Sequence, residues 1–412
     1  KIPPLIQQAK IMSQKYDVVC TNPPYMGKKG MNPELASFVE NIYPNSKTDL
    51  FAVFIDKCIR MTKTLGYIAM ITQHSWMFLG SYEKLRQMIF DNNTLINMVH
   101  LGPRAFEEIG GEVVQTVTYV MRRSNISSYY ATHLRLVEYS SQLEKEKAYL
   151  NKSKLYRSTK EFYSKIPGFP IAYWCSKRIS ELFEHSLLLS DIASARLGIA
   201  TGDNDRFLRI WHEVDVNNIG FNIKSREESK QTKKKWFPMN KGGEYRKWFG
   251  NNDYVVNWEN DGYEICNFRD STGKLRSRPQ NLRDCFVSGI SWTVISSKSS
   301  FRHSPTGFLY NNKGPCINTA SKRDDLIILG LLNSIVTEYI LQILSPTMGF
   351  EAGYISKIPV ILVDDKKSKI ADLVNENIVK STIDWDSFET SWDFKKHPFL
   401  TYKGNSITIE KA

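Results

Sequence analysis

The chain has 412 residues, with 55 Lys and Arg against 43 Asp and Glu, and its formal charge is +12. A chain of this length is expected to hold two or more domains, and 42% hydrophobic with 24% charged residues is typical of globular proteins. This composition excludes a wholly disordered chain, and no stretch approaches the roughly 20 apolar residues of a membrane span.

The six cysteines lie far apart and form no C-x-x-C pair, so we expect neither a metal site nor a disulfide framework. Reduced thiols favour a cytoplasmic location. The chain begins at Lys1 rather than at an initiator Met, and no signal-peptide segment follows. We therefore expect an internal or C-terminal fragment of a longer protein.

The first 125 residues show alternating strand and helix patterns. A short apolar run at residues 17–20 predicts a buried strand, which the prolines of residues 22–25 end. Apolar residues at helical spacing predict a helix from Thr48 to a stop at Leu65-Gly66. The following predictions are a strand at 67–71, a helix at 82–90, and strands at 96–101 and 113–121. This β-α-β-α-β-β order predicts a parallel sheet whose last strand turns back antiparallel.

The rest of the chain divides by composition. Residues 126–186 carry mixed signals and are predicted to be a connector. Short strand and turn patterns predict a second, mixed α+β domain over residues 187–360, followed by a C-terminal extension over 361–412. Inside that domain, a continuous apolar pattern predicts one long helix from Asp324 to Leu344.

The positive charge is concentrated in one segment. Between Lys230 and Arg302 there are 14 Lys and Arg against 7 Asp and Glu, with four Trp interleaved. The segment lacks the 3.6-residue period of a membrane-binding helix. Charge alone leaves two interpretations open, which are a nucleic-acid surface and a solvated face over an aromatic core.

Asn22-Pro23-Pro24-Tyr25 is the string with the clearest chemistry. The exocyclic amine of adenine is a poor nucleophile because its lone pair is delocalised into the ring, and hydrogen-bond acceptors on its N–H groups favour the reactive pyramidal form. Asn22 offers a side-chain carbonyl and Pro23 a backbone carbonyl, while Pro23 and Pro24 stiffen the loop. Tyr25 offers a ring on which a flipped base can stack. The alternative is a Pro-Pro turn with a surface aromatic.

These residues resemble a known family. The D-x-V-x-x-NPPY block, the helix start at residues 47–51 and the strands at 66–71 and 116–120 are similar to motifs of N6-adenine DNA methyltransferases. Segments further along resemble the PglX-type adenine-specific methyltransferases of BREX phage-defence systems, and they cover nearly the whole chain: residues 201–207, 240–244, 253–259, 330–334 and 385–392.

The resemblance implies a fold and a cofactor. The expected fold class is α/β, the C-terminal half of a Rossmann-like methyltransferase sheet followed by a mixed α+β target-recognition domain. The implied methyl donor is S-adenosylmethionine, which Asn22 would contact at one edge. The glycine-rich donor loop of the family should precede the NPPY strand, where only about sixteen residues stand, and Gly110-Gly111 and Gly242-Gly243 lie elsewhere. We therefore expect activity in the intact protein and none in this fragment alone.

The implied partner is double-stranded DNA, with other phage-defence proteins as further candidates and no membrane. In the basic segment, cationic side chains would contact phosphates or base edges. The candidates are Lys241, Arg246, Lys247, Arg276, Arg278 and Arg302.

Three other functions remain open. The chain can be a DNA-recognition module without catalysis, or the methylase part of a fused restriction-modification enzyme. It can also be a protein-glutamine methyltransferase, because an amide nitrogen poses the same lone-pair problem. The large basic second domain counts against the last of these.

Overall fold

The computed structural model describes residues 2–106, 114–319, 321–346, 349–361 and 364–402. The chain forms two compact units, residues 1–185 and 186–412. The elements of the first unit are α1 (Ile2–Ser13), β1 (Tyr16–Thr21), α2 (Pro33–Ile42), α3 (Leu50–Met61), β2 (Thr62–Gln73), α4 (Glu83–Asn92), β3 (Thr94–Gly102), β4 (Thr116–Arg122), β5 (Ala131–Arg135), α5 (Gln142–Leu150), β6 (Leu155–Ser158), α6 (Lys160–Ser164) and α7 (Lys177–His185).

A mixed sheet with strand order β1-β2-β4-β3-β5-β6 organises the first unit. β1 pairs parallel with β2, and β4 runs antiparallel between β2 and β3. The predicted parallel order and the reversal of the last predicted strand are confirmed. The predicted helix after Thr48 is α3, which buries Phe51, Ile55 and Ile59. It ends at Met61, four residues before the predicted stop.

The burial predicted for β1 is wrong. The strand lies at the edge of the sheet with β2 as its neighbour, and Val18 is 60% exposed. Cys20 is exposed as well. An apolar strand is buried only where other elements cover its faces, and the described residues do not cover these side chains of β1.

The stretch predicted as a connector contributes to the same sheet. β5 pairs parallel with β3, and β6 pairs antiparallel with β5. Tyr163 and Tyr173 from this stretch belong to the main core of the first unit, together with Trp76 and Tyr119. The two strands are short and their sequences are polar, so their signal is weak until tertiary pairing is known.

The second unit contains β7 (Leu187–Leu188), α8 (Leu189–Ile192), β8 (Ser194–Arg196), α9 (Asn204–Phe207), β9 (Leu208–Ile210), α10 (Arg226–Gln231), β10 (Trp236–Asn240), β11 (Tyr254–Asn257), α11 (Glu259–Cys266), β12 (Gly289–Trp292), β13 (Phe301–Ser304), β14 (Leu309–Tyr310), β15 (Cys316–Asn318), α12 (Lys322–Leu332), α13 (Ile335–Leu344), α14 (Ala352–Ile355), β16 (Pro359–Val360), α15 (Lys367–Trp385) and α16 (Pro398–Tyr402). Two four-stranded sheets have the orders β14-β10-β11-β9 and β13-β12-β15-β8. β16 pairs antiparallel with β7.

The single helix predicted over residues 324–344 is two helices. α12 and α13 meet at a 72° bend. Asn333 leaves the helical path and exchanges hydrogen bonds with the backbone of Phe301, and the Ser334 side chain accepts the Thr337 N–H and caps α13. Within the described residues no single helix is long and apolar enough to cross a membrane, and this bent pair meets that test by length and composition.

The predicted C-terminal extension holds a structural helix. α15 packs against α12, and Gly330 of α12 leaves space for Val374 and Ile370. α15 buries Ala371, Val374, Ile378 and Trp385. The extension is therefore part of the second unit's packing.

Candidate functional site

The NPPY loop leaves the carboxyl end of β1, as the sequence predicts. Asn22 is exposed, Pro23 is buried and Tyr25 is partly buried. A polar side chain is therefore presented to solvent beside a loop that two prolines stiffen. Ligands of open α/β sheets bind at such strand ends.

Asp49 anchors the loop to the start of α3. Its carboxylate accepts the Met26 N–H at 3.0 Å and the Phe51 N–H at 3.3 Å, so one side chain caps the helix and fixes the backbone next to Tyr25. Two backbone hydrogen bonds reinforce this link, from Leu50 to Met26 and from Lys28 to Thr48. Burial raises the pKa of Asp49, and the backbone N–H groups that donate to its carboxylate partly oppose this increase.

Tyr25 rests on the core of the first unit. Its ring meets Phe51 edge to face at 6.0 Å and 82°, and Phe51 in turn contacts Tyr82. Burial, and then the Asp49 carboxylate, raise the pKa of Tyr25, so its phenol is neutral at pH 7. The ring is therefore held in place from one side while remaining partly accessible.

A buried histidine pair links the residue that follows β2, His74, with a residue inside β3, His100. His74 Nδ1 and His100 Nε2 are 2.9 Å apart, and His100 Nδ1 is 3.1 Å from the Tyr173 hydroxyl. Burial lowers the pKa of His74 to about 4 and holds that of His100 well below its usual range. Both rings are neutral at pH 7. The described residues bring no three His, Cys, Asp or Glu side chains together as a metal site.

Three of the residues predicted to contact DNA interact with other residues of the second unit. The Lys241 ammonium lies 3.9 Å from the centre of the Tyr254 ring. Arg246 pairs with Asp384 at 2.7 Å, and the Lys247 ammonium donates to the Asn333 carbonyl at 2.9 Å. All three side chains are partly buried. Their charges are in part used to hold the unit together.

Arg302 is a correction to the sequence analysis, because it lies inside the fold. It is 2% exposed, and its guanidinium donates to the Arg246 carbonyl, to Ser300 and to Thr293. Burial, assisted by the neighbouring Arg246 charge, lowers the pKa of Arg302 to about 10. A side chain in this position cannot reach a phosphate without unfolding its surroundings, so we assign it a structural role.

Arg276 and Arg278 are exposed, as a contact surface requires. They lie in residues 269–283, here called the basic loop, which has five exposed cationic side chains and one Asp: Arg269, Lys274, Arg276, Arg278 and Arg283. The Arg278 guanidinium pairs with no carboxylate of the described residues. Sequence reasoning missed Arg269, Lys274 and Arg283, although the local excess of positive charge around them was a usable signal.

Residues 5–106 match the family model described as Eco57I restriction-modification methylase. The adenine-specific methyltransferase PglX of Lacticaseibacillus casei (strain Zhang) is 44% identical over 406 residues, 96% of this chain. The adenine-specific methyltransferase BrxX of Escherichia coli O9:H4 (strain HS) is 40% identical over 98% of this chain. The chain is a homologue of part of these adenine-specific methyltransferases. It spans about one third of their length, 33% and 32% respectively.

Solved structures support the fold. The type IIL restriction-modification enzyme MmeI in complex with DNA has a TM-score of 0.58 at 14% identity, covering 92% of this chain and 50% of MmeI. A nuclease-deletion mutant of the type ISP enzyme LlaGI with a DNA substrate mimic has a TM-score of 0.53 at 13% identity, covering 91% and 36%. A mixed α/β fold like that of restriction-modification enzymes therefore holds for the chain.

Proposed function

We propose that the intact protein is a site-specific DNA adenine-N6 methyltransferase of a cytoplasmic BREX-type phage-defence system. In this proposal the first unit is the C-terminal half of the methyltransferase domain and the second is the target-recognition domain. The observation that carries it is the NPPY loop at the carboxyl end of β1, fixed by Asp49. The homology with PglX and BrxX supports the choice of substrate.

Each residue of the loop has a task in this proposal. The exposed Asn22 side chain and the Pro23 carbonyl accept hydrogen bonds from the N6 hydrogens of a flipped adenine. Pro23 and Pro24 hold both acceptors in place, so little entropy is lost when the base arrives. Tyr25, steadied by Phe51, stacks on the base and replaces part of the stacking lost on flipping.

The described residues fit the target side of this reaction but not the donor side. S-adenosylmethionine supplies a methyl group when it is bound, and in this proposal Asn22 contacts one edge of it. No loop after β1, β2 or β3 in the described residues carries two adjacent glycines, and Gly110-Gly111 lie outside them. We propose that the donor-binding residues belong to a further part of the full-length protein. The outer edge of β1 pairs with no strand of the described residues, and in this proposal it pairs with that further part.

The decisive test is chemical. Genomic DNA from cells carrying the full-length gene should contain N6-methyladenine at one sequence context, and DNA from cells without the gene should lack it. Single-molecule sequencing of both genomes measures the difference. Identical methylation in the two genomes would refute the proposal, and methylated glutamine in a cellular protein would favour the amide substrate instead.

Tyr25 tests the stacking role in full-length protein. Tyr25→Ala should lose roughly 1–3 kcal/mol of transition-state stabilisation, measured as kcat/KM for DNA methylation. Tyr25→Phe should keep most of the activity, because the ring rather than the hydroxyl contacts the base. Tyr130→Ala is the control, since Tyr130 is 65% exposed in the same unit. Equal damage by Phe and Ala would show that the hydroxyl matters and the stacking role is wrong.

We also propose that the basic loop, residues 269–283, contacts DNA phosphates. Each phosphate contact contributes about 0.9 to the slope of log K against log salt concentration. Replacing Arg276 and Arg278 together with Gln should therefore reduce that slope by up to about 2, measured by fluorescence anisotropy with duplex DNA. The matched control is a double replacement of Lys395 and Lys396, two adjacent exposed lysines. If the control lowers the slope more than the Arg276 and Arg278 variant does, the DNA interface lies outside the basic loop.

A further inference from the structure

An acidic segment of the second unit has no part in the proposed DNA chemistry. Residues 384–393 read Asp-Trp-Asp-Ser-Phe-Glu-Thr-Ser-Trp-Asp, with four acidic side chains and neither Lys nor Arg. The segment begins with the last two residues of α15 and continues beyond it, in a chain whose formal charge is +12. An acidic surface repels DNA, so this segment calls for a different explanation.

Internal hydrogen bonds give the segment a defined shape. The Ser391 hydroxyl donates to Asp386 Oδ1 at 2.6 Å, and the Asp393 N–H donates to Ser391 Oγ at 3.1 Å. The Asp386 N–H continues the helix by donating to the Thr382 carbonyl. The loop is thereby closed, and Asp386 and Asp393 line the same cavity.

The cavity has aromatic walls and a volume of about 290 Å³. Five aromatic side chains line it: Phe221, Phe249, Phe308, Trp385 and Trp392. The Trp392 ring lies 5.2 Å from Phe221 and 5.8 Å from Phe308 between ring centres. This volume is at the small end of the range for ligand sites and suits a single side-chain-sized group.

Two carboxylates share this aromatic site. Asp386 uses one oxygen for Ser391, and no hydrogen bond within the described residues involves its Oδ2. Burial, and then the neighbouring Asp386 charge, raise the pKa of Asp393, with smaller opposing effects from Trp392 and Lys395. Two like charges in a partly desolvated place are stabilised by a cation between them.

We propose that this cavity binds one organic cation, a guanidinium or alkylammonium group on an aliphatic stem. Aromatic rings attract cations through their quadrupoles, and a planar guanidinium also stacks on Trp. The carboxylates of Asp386 and Asp393 supply the opposite charge. An arginine or lysine side chain of a peptide and a free polyamine share this chemistry.

The 412-residue chain can be titrated by calorimetry with a cation and its neutral isostere. N-acetyl-arginine amide should bind saturably, and N-acetyl-citrulline amide, which has the same shape without the charge, should bind at least about tenfold more weakly. A separate titration with spermidine tests a free polyamine as the ligand. Tighter binding of spermidine assigns the site to a free polyamine, and tighter binding of the arginine amide assigns it to a peptide side chain; either order supports a cation site.

Matched variants locate the binding. Asp386→Asn with Asp393→Asn should weaken arginine-amide binding about tenfold, while the asparagine oxygen at 386 still accepts the Ser391 hydrogen bond and preserves the fold. Asp372→Asn, an exposed change on α15 outside the cavity, should leave the affinity unchanged. Thermal unfolding confirms that each variant is folded. Equal affinity for the citrulline amide, no saturable binding of either cation, or unchanged affinity in the double variant would overturn the proposal.

Discussion

Asn22→Ala in the full-length protein is expected to lower the rate of adenine methylation by a factor on the order of 10²–10³, because it removes an acceptor that acts on the reacting amine. The affinity for DNA should change little, since Asn22 is an exposed neutral side chain in the first unit and carries no phosphate contact in the proposal. Radioactive methyl incorporation measures the first quantity and fluorescence anisotropy the second.

Two further variants make this result specific. Asn22→Asp keeps a side-chain oxygen in the same place and should retain part of the activity. Asn92→Ala, which removes an exposed amide at the end of α4 that donates to the Met88 carbonyl, should be without effect. Wild-type methylation by Asn22→Ala would show that the loop does not contact the reacting amine.

Local patterns explain why the order of elements in the first unit was predictable. The apolar spacing that gives α3 is complete within twelve residues, and Asp49 supplies the cap at its start. The position of Asn22 at a strand end follows from the double proline, which cannot continue a strand. These features depend on residues that are neighbours in sequence, so they can be predicted without knowledge of the fold.

Features that depend on distant residues were not predictable. Val18 looks like a core residue, yet the described residues do not cover it. The apolar pattern predicted one long helix and gave no sign of the break at Asn333. The hydrogen-bond partner of that side chain is the backbone of Phe301, which is 32 residues away in sequence. The anchoring of the NPPY loop by Asp49 likewise joins segments that are 23 residues apart. Positive charge near Arg302 indicated a surface, and only tertiary packing shows that this one side chain points inward.

Arg302→Ala should destabilise the protein by roughly 2–4 kcal/mol, because it leaves a void on β13 and removes the donor to the Arg246 carbonyl and the Ser300 and Thr293 hydroxyls. Urea unfolding followed by circular dichroism should show a lower midpoint for the second unit. Arg302→Met fills much of the volume and removes a buried charge, so its loss of stability should be smaller.

DNA binding separates this structural role from a phosphate contact. Without urea, and at a temperature where the variant is folded, Arg302→Met should keep the wild-type dependence of DNA affinity on salt. A side chain that is 2% exposed makes no phosphate contact and so releases no counterions. Arg278→Gln, which removes one exposed charge of the basic loop, should instead reduce the slope by up to about 1 at unchanged stability. A reduced salt slope for Arg302→Met, with a wild-type urea midpoint, would return Arg302 to the DNA interface. A wild-type salt slope for Arg302→Met, with a lowered urea midpoint, would leave the exposed basic loop as the part of this unit that contacts the phosphate backbone.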